Sequence, residues 1–193
     1  MPLVLASSSA IRRAMLAAAG VSHEAVPAGI DEAAVTARHG EPDSLALELA
    51  EAKAMAVSTA RPDDWVIGGD SVICVGGRLF AKPASRDQAA EHLRAFSGQP
   101  MRLTSAVAVA RGGAVDWSHG ESATLHVRAL SEAFIGTYLD QEWPQVSNCV
   151  GVFRFEGPGV QLFDRVDGDY FTILGMPLLP LLQALRERGE LAV

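Results

Sequence analysis

The chain has 193 residues, of which 49% are apolar and 20% charged, a composition typical of a globular protein with one good-sized core. Its net charge of −7 argues against a nonspecific nucleic-acid partner and against an anionic membrane surface. No stretch reaches the roughly 20 apolar residues of a membrane-spanning helix, and no basic residues lead the N-terminal segment as they would in a signal peptide. We therefore expect a single cytoplasmic domain that spans residues 1–193.

The cysteines, the histidines and the glycine-rich loops argue against several common classes of site. Cys74 and Cys149 form no C-x-x-C pair, so we expect reduced thiols. The histidines (positions 23, 39, 92, 119 and 126) make no ligand pair at useful spacing, which argues against a zinc site. The chain also lacks the G-x-x-x-x-G-K-[ST] and G-x-G-x-x-G loops of standard P-loop and dinucleotide-binding folds.

The N-terminal segment has the pattern of a strand, a serine-rich turn and a helix. Residues 3–6 are apolar, Ser7 to Ser9 follow, and the predicted helix carries Arg12 and Arg13 in its first turn before it ends at Gly20. Hydroxyls, free backbone amides and guanidinium groups at a helix N-terminus favour an anion. A solvated basic turn explains the same residues equally well.

Residues 21–30 predict a strand with irregular flanks, and a helix follows from Pro42 to about Ala60. An apolar stripe runs along that helix, and Lys53 lies at the edge of the stripe. Its ammonium either reaches inward or stays in solvent while the stem covers apolar surface.

Residues 65–82 hold the acid around which we expect the site to be built. Two apolar runs, 65–67 and 71–75, flank Gly68, Gly69 and Asp70, and Gly76–Gly77 predicts a tight hairpin turn. A carboxylate between apolar strands is costly to bury without a nearby cation. The returning strand can bring Lys82 towards Asp70; a surface hairpin with a charge at each end is the alternative.

The second half of the chain predicts alternating helices and hairpins. In order, we expect a helix capped by Ser85 and ending near residues 97–98, a hairpin of 101–111 and 114–128, a helix capped by Ser131, a glycine-dense segment 148–159, a strand at 160–163 and a last helix after 175–177. Pro177 suits the first turn of that last helix, and Gly189 lies past its end. One α/β domain with a mixed, largely hairpin-connected sheet fits this order.

Seven short motifs, taken together and in order, resemble the Maf family of nucleotide pyrophosphatases. They are LASSSAIRR (5–13), IDE (30–32), LAEAKA (49–54), GGDS (68–71), AKP (81–83), FSGQ (96–99) and GDYFTILGMPL (168–178). The resemblance covers nearly the whole chain. It implies an α/β fold of the Maf/ITPase-like type, with a mixed sheet, flanking helices and two lobes around a central cleft.

The resemblance also implies an activity and a set of site residues. The activity is hydrolysis of a nucleoside triphosphate between the α- and β-phosphates, releasing a monophosphate and diphosphate, with a divalent cation such as Mg²⁺ or Mn²⁺. Asp70 is assigned as general base, with a pure metal-ligand role as the alternative, and Glu32 joins it as metal ligand. The residues assigned to the phosphates are Ser9, Arg12, Arg13, Lys53 and Lys82.

Residues 148–157 resemble the branch of the family that acts on 7-methyl-GTP, because Glu156 stands where the dTTP/UTP branch has Gln. A carboxylate accepts hydrogen bonds from N1–H and the 2-amino group of guanine and favours the positive charge of an N7-methylated ring. The other specificity positions, Ile11 and Ser71, depart from the aromatic residue and the Gln common in that branch. A dTTP/UTP preference, or a surface ion pair between Glu156 and Arg154, therefore stays open.

A second hypothesis is a nucleotide-binding regulator of cell division with little turnover. The presence of Glu32, Lys53, Asp70 and Lys82 together favours the enzyme, since a pure binder has less need of the carboxylates. The expected partner is a nucleoside triphosphate, with neither nucleic acid nor membrane. The sequence leaves the oligomeric state open, with a homodimer among the options.

Overall fold

The computed structural model describes residues 3–37 and 41–192, so His39 lies outside the described part. The helices and strands are β1 (Leu3–Ala6), α1 (Ala10–Ala18), β2 (His23–Ala25), α2 (Glu32–Thr36), α3 (Pro42–Ala60), β3 (Trp65–Val75), β4 (Arg78–Phe80), α4 (Arg86–Phe96), β5 (Pro100–Arg111), β6 (Ala114–Val127), α5 (Glu132–Glu142), β7 (Phe163–Asp167), α6 (Tyr170–Leu174) and α7 (Leu178–Glu187). Two 3₁₀ turns span Gln145–Asn148 and Pro158–Leu162. Within the described ranges, no helix is long and apolar enough to cross a membrane.

The strands form one mixed sheet, as predicted. Neighbours follow the order β2-β1-β3-β5-β6-β7, and β4 pairs with β3. β1 runs parallel to both β2 and β3, whereas β3–β4 and β6–β7 are antiparallel. The two glycine pairs at 76–77 and 112–113 all have positive φ, between 57° and 80°, which is the backbone conformation that tight hairpin turns require.

The chain divides into two compact units. Unit 1 comprises residues 1–71, 104–121 and 170–193, and unit 2 comprises 72–103 and 122–169. β3, β5 and β6 contribute residues to both units. The expected two lobes match this division, while the central cleft and the assignment of residues 1–193 to a single domain stay predictions.

Unit 1 buries both faces of β1, because successive side chains of a strand point to opposite faces. Leu3 and Leu5 pack with Leu16 of α1 and Leu181 of α7 in one cluster. A second cluster contains Val4, Ala6 and Val66 together with Val57 of α3. The strand therefore lies between α1 and α7 on one side and α3 on the other, which explains its unbroken apolar sequence.

Unit 2 has an aromatic core between its short strand and its first helix. Phe80 of β4 meets Phe96 and His92 of α4 edge to face, with ring centroids 4.8 and 5.1 Å apart. Phe153 and Phe163 make a similar contact at 5.0 Å. The first group of rings holds α4 against β4, and the second contact holds the segment before β7 against the first residue of that strand.

Several predicted boundaries are confirmed, and others are wrong. The three serine-capped helices begin where predicted, since Ser9, Ser85 and Ser131 each accept a hydrogen bond from a backbone N–H three residues on. Runs 65–67 and 71–75 are one continuous strand that includes Asp70. Of residues 21–30, only 23–25 form a strand. Of the predicted strand 160–163, residues 160–162 belong to a 3₁₀ turn and only Phe163 lies in a strand, as the first residue of β7. The short helices α2 and α6 were not predicted.

Neither cysteine is in a disulfide, as expected from their spacing.

Candidate functional site

A buried lysine joins two carboxylates in unit 1. Lys53, on α3, is 8% exposed, and its Nζ lies 2.5 Å from Asp70 Oδ1 and 2.7 Å from Glu32 Oε1. Asp70 is equally buried, whereas the Glu32 side chain is half-exposed. Lys53 therefore reaches inward and is the cation that pairs with Asp70. The sequence suggests Lys82 for this role.

Glycine at position 68 makes this contact geometrically possible. A Cβ on Gly68 would lie 2.1 Å from the Ala50 carbonyl oxygen and 2.7 Å from the Ala54 nitrogen. The backbone of α3 thus approaches β3 more closely than any side chain at position 68 would allow. Ala50, Lys53 and Ala54 share one helix face, so this approach also carries the ammonium to Asp70, two residues along the strand.

A buried arginine lies next to this group and has only neutral hydrogen-bond partners. Arg12 Nε donates to the Gly175 carbonyl at 2.8 Å, and Nη2 donates to Ser71 Oγ at 2.9 Å. Among the described residues, no carboxylate lies within ion-pair distance of Arg12. Burial lowers its pKa, and the charges of Asp70 and Glu32 oppose that shift.

The remaining candidates on α1 differ in their surroundings. Ser9 caps the helix, its Oγ accepting from the Arg12 amide at 3.4 Å. Ile11 is partly exposed and Arg13 is exposed. No hydrogen bond or ion pair of the Arg13 side chain is found in the described part of the chain. Of the two arginines in the motif, the structure therefore buries Arg12, where the charges of Asp70 and Glu32 act on it, and leaves Arg13 exposed.

Two predicted site residues, Lys82 and Glu156, belong to unit 2, and both are exposed. Both charges act on Cys149. Burial raises the pKa of this thiol to about 11; Glu156 adds to the shift and Lys82 opposes it. Lys82 and Glu156 therefore share the neighbourhood of Cys149, and their roles towards a substrate stay predictions.

The segment that carries Glu156 is anchored to α5. Arg154 forms a two-pronged ion pair with Glu142, Nε and Nη2 lying 2.8 and 2.9 Å from the two carboxylate oxygens. Tyr138 donates to the Val152 carbonyl at 2.9 Å. The alternative that Arg154 serves as the ion-pair partner of Glu156 is thus wrong. With Arg154 held by Glu142, the Glu156 carboxylate is available to a ligand.

The donor set bears on metal binding. In the described ranges no group of three or more His, Cys, Asp or Glu side chains is arranged to hold a metal ion. What unit 1 offers is a pair of carboxylates, Glu32 and Asp70, whose oxygens converge on one positive charge. Mg²⁺ is commonly bound by one or two carboxylates and completes its shell with water and phosphate oxygens, so this pair fits such an ion.

Comparison with known proteins shows the family to which the chain belongs. A family model described as "Maf-like protein" matches residues 2–188. The chain belongs to the Maf family. Among curated relatives, the 7-methyl-GTP pyrophosphatase of Rhizobium etli is 48% identical over 193 residues, covering 98% of this chain and 97% of the relative. The nucleoside triphosphate pyrophosphatase of Granulibacter bethesdensis is 44% identical over 197 residues and the full length of both chains.

A solved structure supports the Maf fold prediction. The Ham1 protein of Staphylococcus aureus superimposes with a TM-score of 0.50, covering 98% of this chain and all of the other, at 14% identity. At that identity the likeness concerns the fold alone, and the fold is the mixed α/β architecture expected from the sequence.

Two residues of this Maf site were missed by sequence reasoning. Ser105, fully buried on β5, contacts Ser71, and the Gly175 carbonyl binds Arg12. Ser105 directly precedes the apolar run 106–110 of β5, and a polar residue next to such a run is a signal that could have singled it out. Gly175 lies inside the last family motif, where the sequence indicates only that it precedes a helix.

Proposed function

We propose that this Maf-family protein hydrolyses nucleoside triphosphates between the α- and β-phosphates, giving a nucleoside monophosphate and diphosphate. The observation that carries the proposal is the buried contact of Lys53 with Asp70 and Glu32, beside an arginine without an ion-pair partner. This combination of a carboxylate and adjacent cations suits attack on a polyphosphate. The full-length curated relatives named pyrophosphatases point to the same reaction.

Each side chain has a role that follows from its charge. Asp70 accepts a proton from the attacking water, or orients it, because a carboxylate is the base available at this point. Lys53 and Arg12 stabilise the negative charge that develops on the phosphate oxygens. We propose Ser9, Arg13 and Lys82 as further donors to the phosphates.

We propose that Glu32 and Asp70 hold a divalent cation, Mg²⁺ or Mn²⁺. Bound there, such a cation would neutralise charge on the attacked phosphate. The chain's own part is to supply two carboxylate oxygens and to hold them through Lys53 until that cation arrives.

We propose 7-methyl-GTP as the preferred substrate. The proposal rests on the carboxylate of Glu156, which Arg154 leaves free, and on relatives of that name. Ile11 and Ser71 keep dTTP or UTP as the alternative.

A panel of nucleoside triphosphates tests both the reaction type and the preferred nucleobase. Purified protein incubated with Mg²⁺ or Mn²⁺ and 7-methyl-GTP, GTP, UTP or dTTP is expected to release pyrophosphate, fastest from 7-methyl-GTP. Release of orthophosphate would contradict the reaction. Preference for UTP or dTTP would contradict only the specificity, and tight nucleotide binding without product would favour the regulator.

Lys53→Met is expected to raise the Mn²⁺ affinity of the nucleotide-free protein, because the ammonium competes with the metal for the same two carboxylates. We expect roughly a tenfold tighter Kd, corresponding to about 1.4 kcal/mol of removed competition. Free Mn²⁺ measured by electron paramagnetic resonance gives the Kd directly and does not depend on turnover.

Arg61→Met is the matched control. Arg61 also joins two carboxylates in unit 1, lying 2.6 Å from both Glu24 and Asp64. Its loss changes the net charge equally, so it should leave Mn²⁺ affinity near that of the unmodified protein. If the two substitutions changed Mn²⁺ affinity equally, the change in net charge would explain the result, and the metal assignment would be refuted.

A further inference from the structure

A chain of hydrogen bonds runs from the Arg12 guanidinium into the interior of unit 1. Arg12 Nη2 donates to Ser71 Oγ at 2.9 Å, and Ser71 Oγ lies 2.9 Å from Ser105 Oγ. Ser105 Oγ in turn donates to the Thr172 carbonyl at 2.8 Å. Ser105 and Thr172 are completely buried, so the inner end of the chain is closed to water.

The Thr172 carbonyl and the distances around Ser71 set the direction of the chain. Ser71 has one proton and two acceptors within reach, Ser105 Oγ at 2.9 Å and the Gly175 carbonyl at 3.2 Å. Because the Thr172 carbonyl can only accept, the Ser105 proton points to it, and the shorter of the two Ser71 contacts is made when Ser71 donates to Ser105. Ser71 then presents its lone pairs to Arg12, which can only donate. The chain is therefore polarised along its whole length, an arrangement in which each bond strengthens the next.

Gly175 supplies a second acceptor on the same edge of the guanidinium, the edge formed by Nε and Nη2. Its carbonyl accepts from Arg12 Nε at 2.8 Å and lies 3.2 Å from Ser71 Oγ. The residue has φ of +111°, and a Cβ there would sit 3.2 Å from Ser71 Oγ. Glycine at this position thus leaves room for the serine and the arginine to meet.

The hydrogen-bond partners of Arg12 are all neutral, so none of them offsets the positive charge of the guanidinium. They fix the orientation of the guanidinium but form no ion pair with it, and the charges of Asp70 and Glu32 act on it only from beyond ion-pair distance. A buried cation without a direct ion pair is costly. Of its five N–H groups, two are used by Gly175 and Ser71, which leaves the others for a ligand. Such a group is suited to receive an anion.

We propose that Ser71 and Ser105 are positioning residues that hold Arg12 ready for the phosphate chain, so that Ser71 acts on the phosphates rather than on the base. The inference rests on the proposed function in taking a polyphosphate as the ligand. It gives Ser71 a different role from the base-selecting one implied by the family resemblance.

Titration with inorganic tripolyphosphate tests this directly, because the compound has three phosphates and no base. By calorimetry in the presence of Mg²⁺, Ser71→Ala and Ser105→Ala should each weaken binding about three- to tenfold, as expected for one buried hydrogen bond. The double variant should bind no more weakly than Ser71→Ala, since both substitutions break one chain. The KM for each triphosphate should rise by a common factor, leaving the ranking of bases unchanged.

Ser58→Ala is the matched control. Ser58 is also fully buried in unit 1, and its Oγ donates to the Met55 carbonyl and accepts from the Gly113 amide. Neither of these partners belongs to the Arg12 chain. Ser58→Ala should lower the melting temperature like Ser105→Ala while leaving tripolyphosphate affinity unchanged. Should Ser105→Ala fail to fold, Ser71→Ala at its partly exposed position still decides the outcome.

Three results would overturn the inference: no binding of tripolyphosphate by the unmodified protein, additive losses in the double variant, or a changed base ranking in Ser71→Ala with tripolyphosphate binding intact. Failure of the proposed function looks different. In that case no triphosphate yields pyrophosphate, while binding of tripolyphosphate still responds to the two serines.

Discussion

Asp70→Asn is expected to lower pyrophosphate release by about 10³-fold in kcat while the chain remains folded. Asparagine keeps the size of the side chain but can neither take a proton nor carry a charge, and loss of a general base commonly costs about 10²- to 10⁴-fold. The substitution also leaves the buried Lys53 ammonium with Glu32 as its remaining carboxylate contact. We therefore expect a large loss of turnover in a protein that still folds.

The measurement is single-turnover release of pyrophosphate at saturating triphosphate, with circular dichroism to check folding. Asp64→Asn serves as control, because Asp64 is also a largely buried carboxylate of unit 1, paired with Arg61 at 2.6 Å. It should keep near-normal turnover. If Asp70→Asn retained more than about a tenth of the normal rate, neither the base role nor the metal role of Asp70 could stand.

Gly68→Ala is expected to destabilise the protein by about 3 kcal/mol or more, the upper part of the range for an overpacked core. The added Cβ would meet the backbone of α3 at Ala50 and Ala54, and a helix backbone cannot rotate out of the way as a side chain can. For a chain of this size such a loss lowers Tm by roughly 6–12 °C. Moving α3 also moves Lys53 away from Asp70, so turnover should fall with stability.

Gly136→Ala provides a control of opposite sign. Gly136 lies within α5, and a Cβ there would contact nothing within 4 Å. Alanine in a helix interior is worth about 0.5–1 kcal/mol over glycine, so Tm should rise by about 1–4 °C. Thermal unfolding of both variants compares them directly, and a Gly68→Ala protein as stable as the unmodified chain would disprove the close approach of α3 to β3.

The sequence by itself determined the features that depend on neighbouring residues. The serine caps at positions 85 and 131, the helix start after Ser7 to Ser9, and the glycine pairs at 76–77 and 112–113 depend on hydrogen bonds and backbone angles within a few residues. Each lies where predicted. The strand predicted at 160–163 begins only at Phe163, and residues 160–162 belong to a 3₁₀ turn. A short, largely apolar run is compatible with more than one local structure.

Only the tertiary structure decided which charged side chains meet. Lys53 at the edge of an apolar stripe could turn either way, and Arg12 and Arg13 are adjacent in the motif. The close approach of α3 at Gly68 turned Lys53 inward, and the carbonyl of Gly175, 163 residues away, selected Arg12. Long side chains have many rotamers of similar energy, so their direction is set by partners that come from distant parts of the chain.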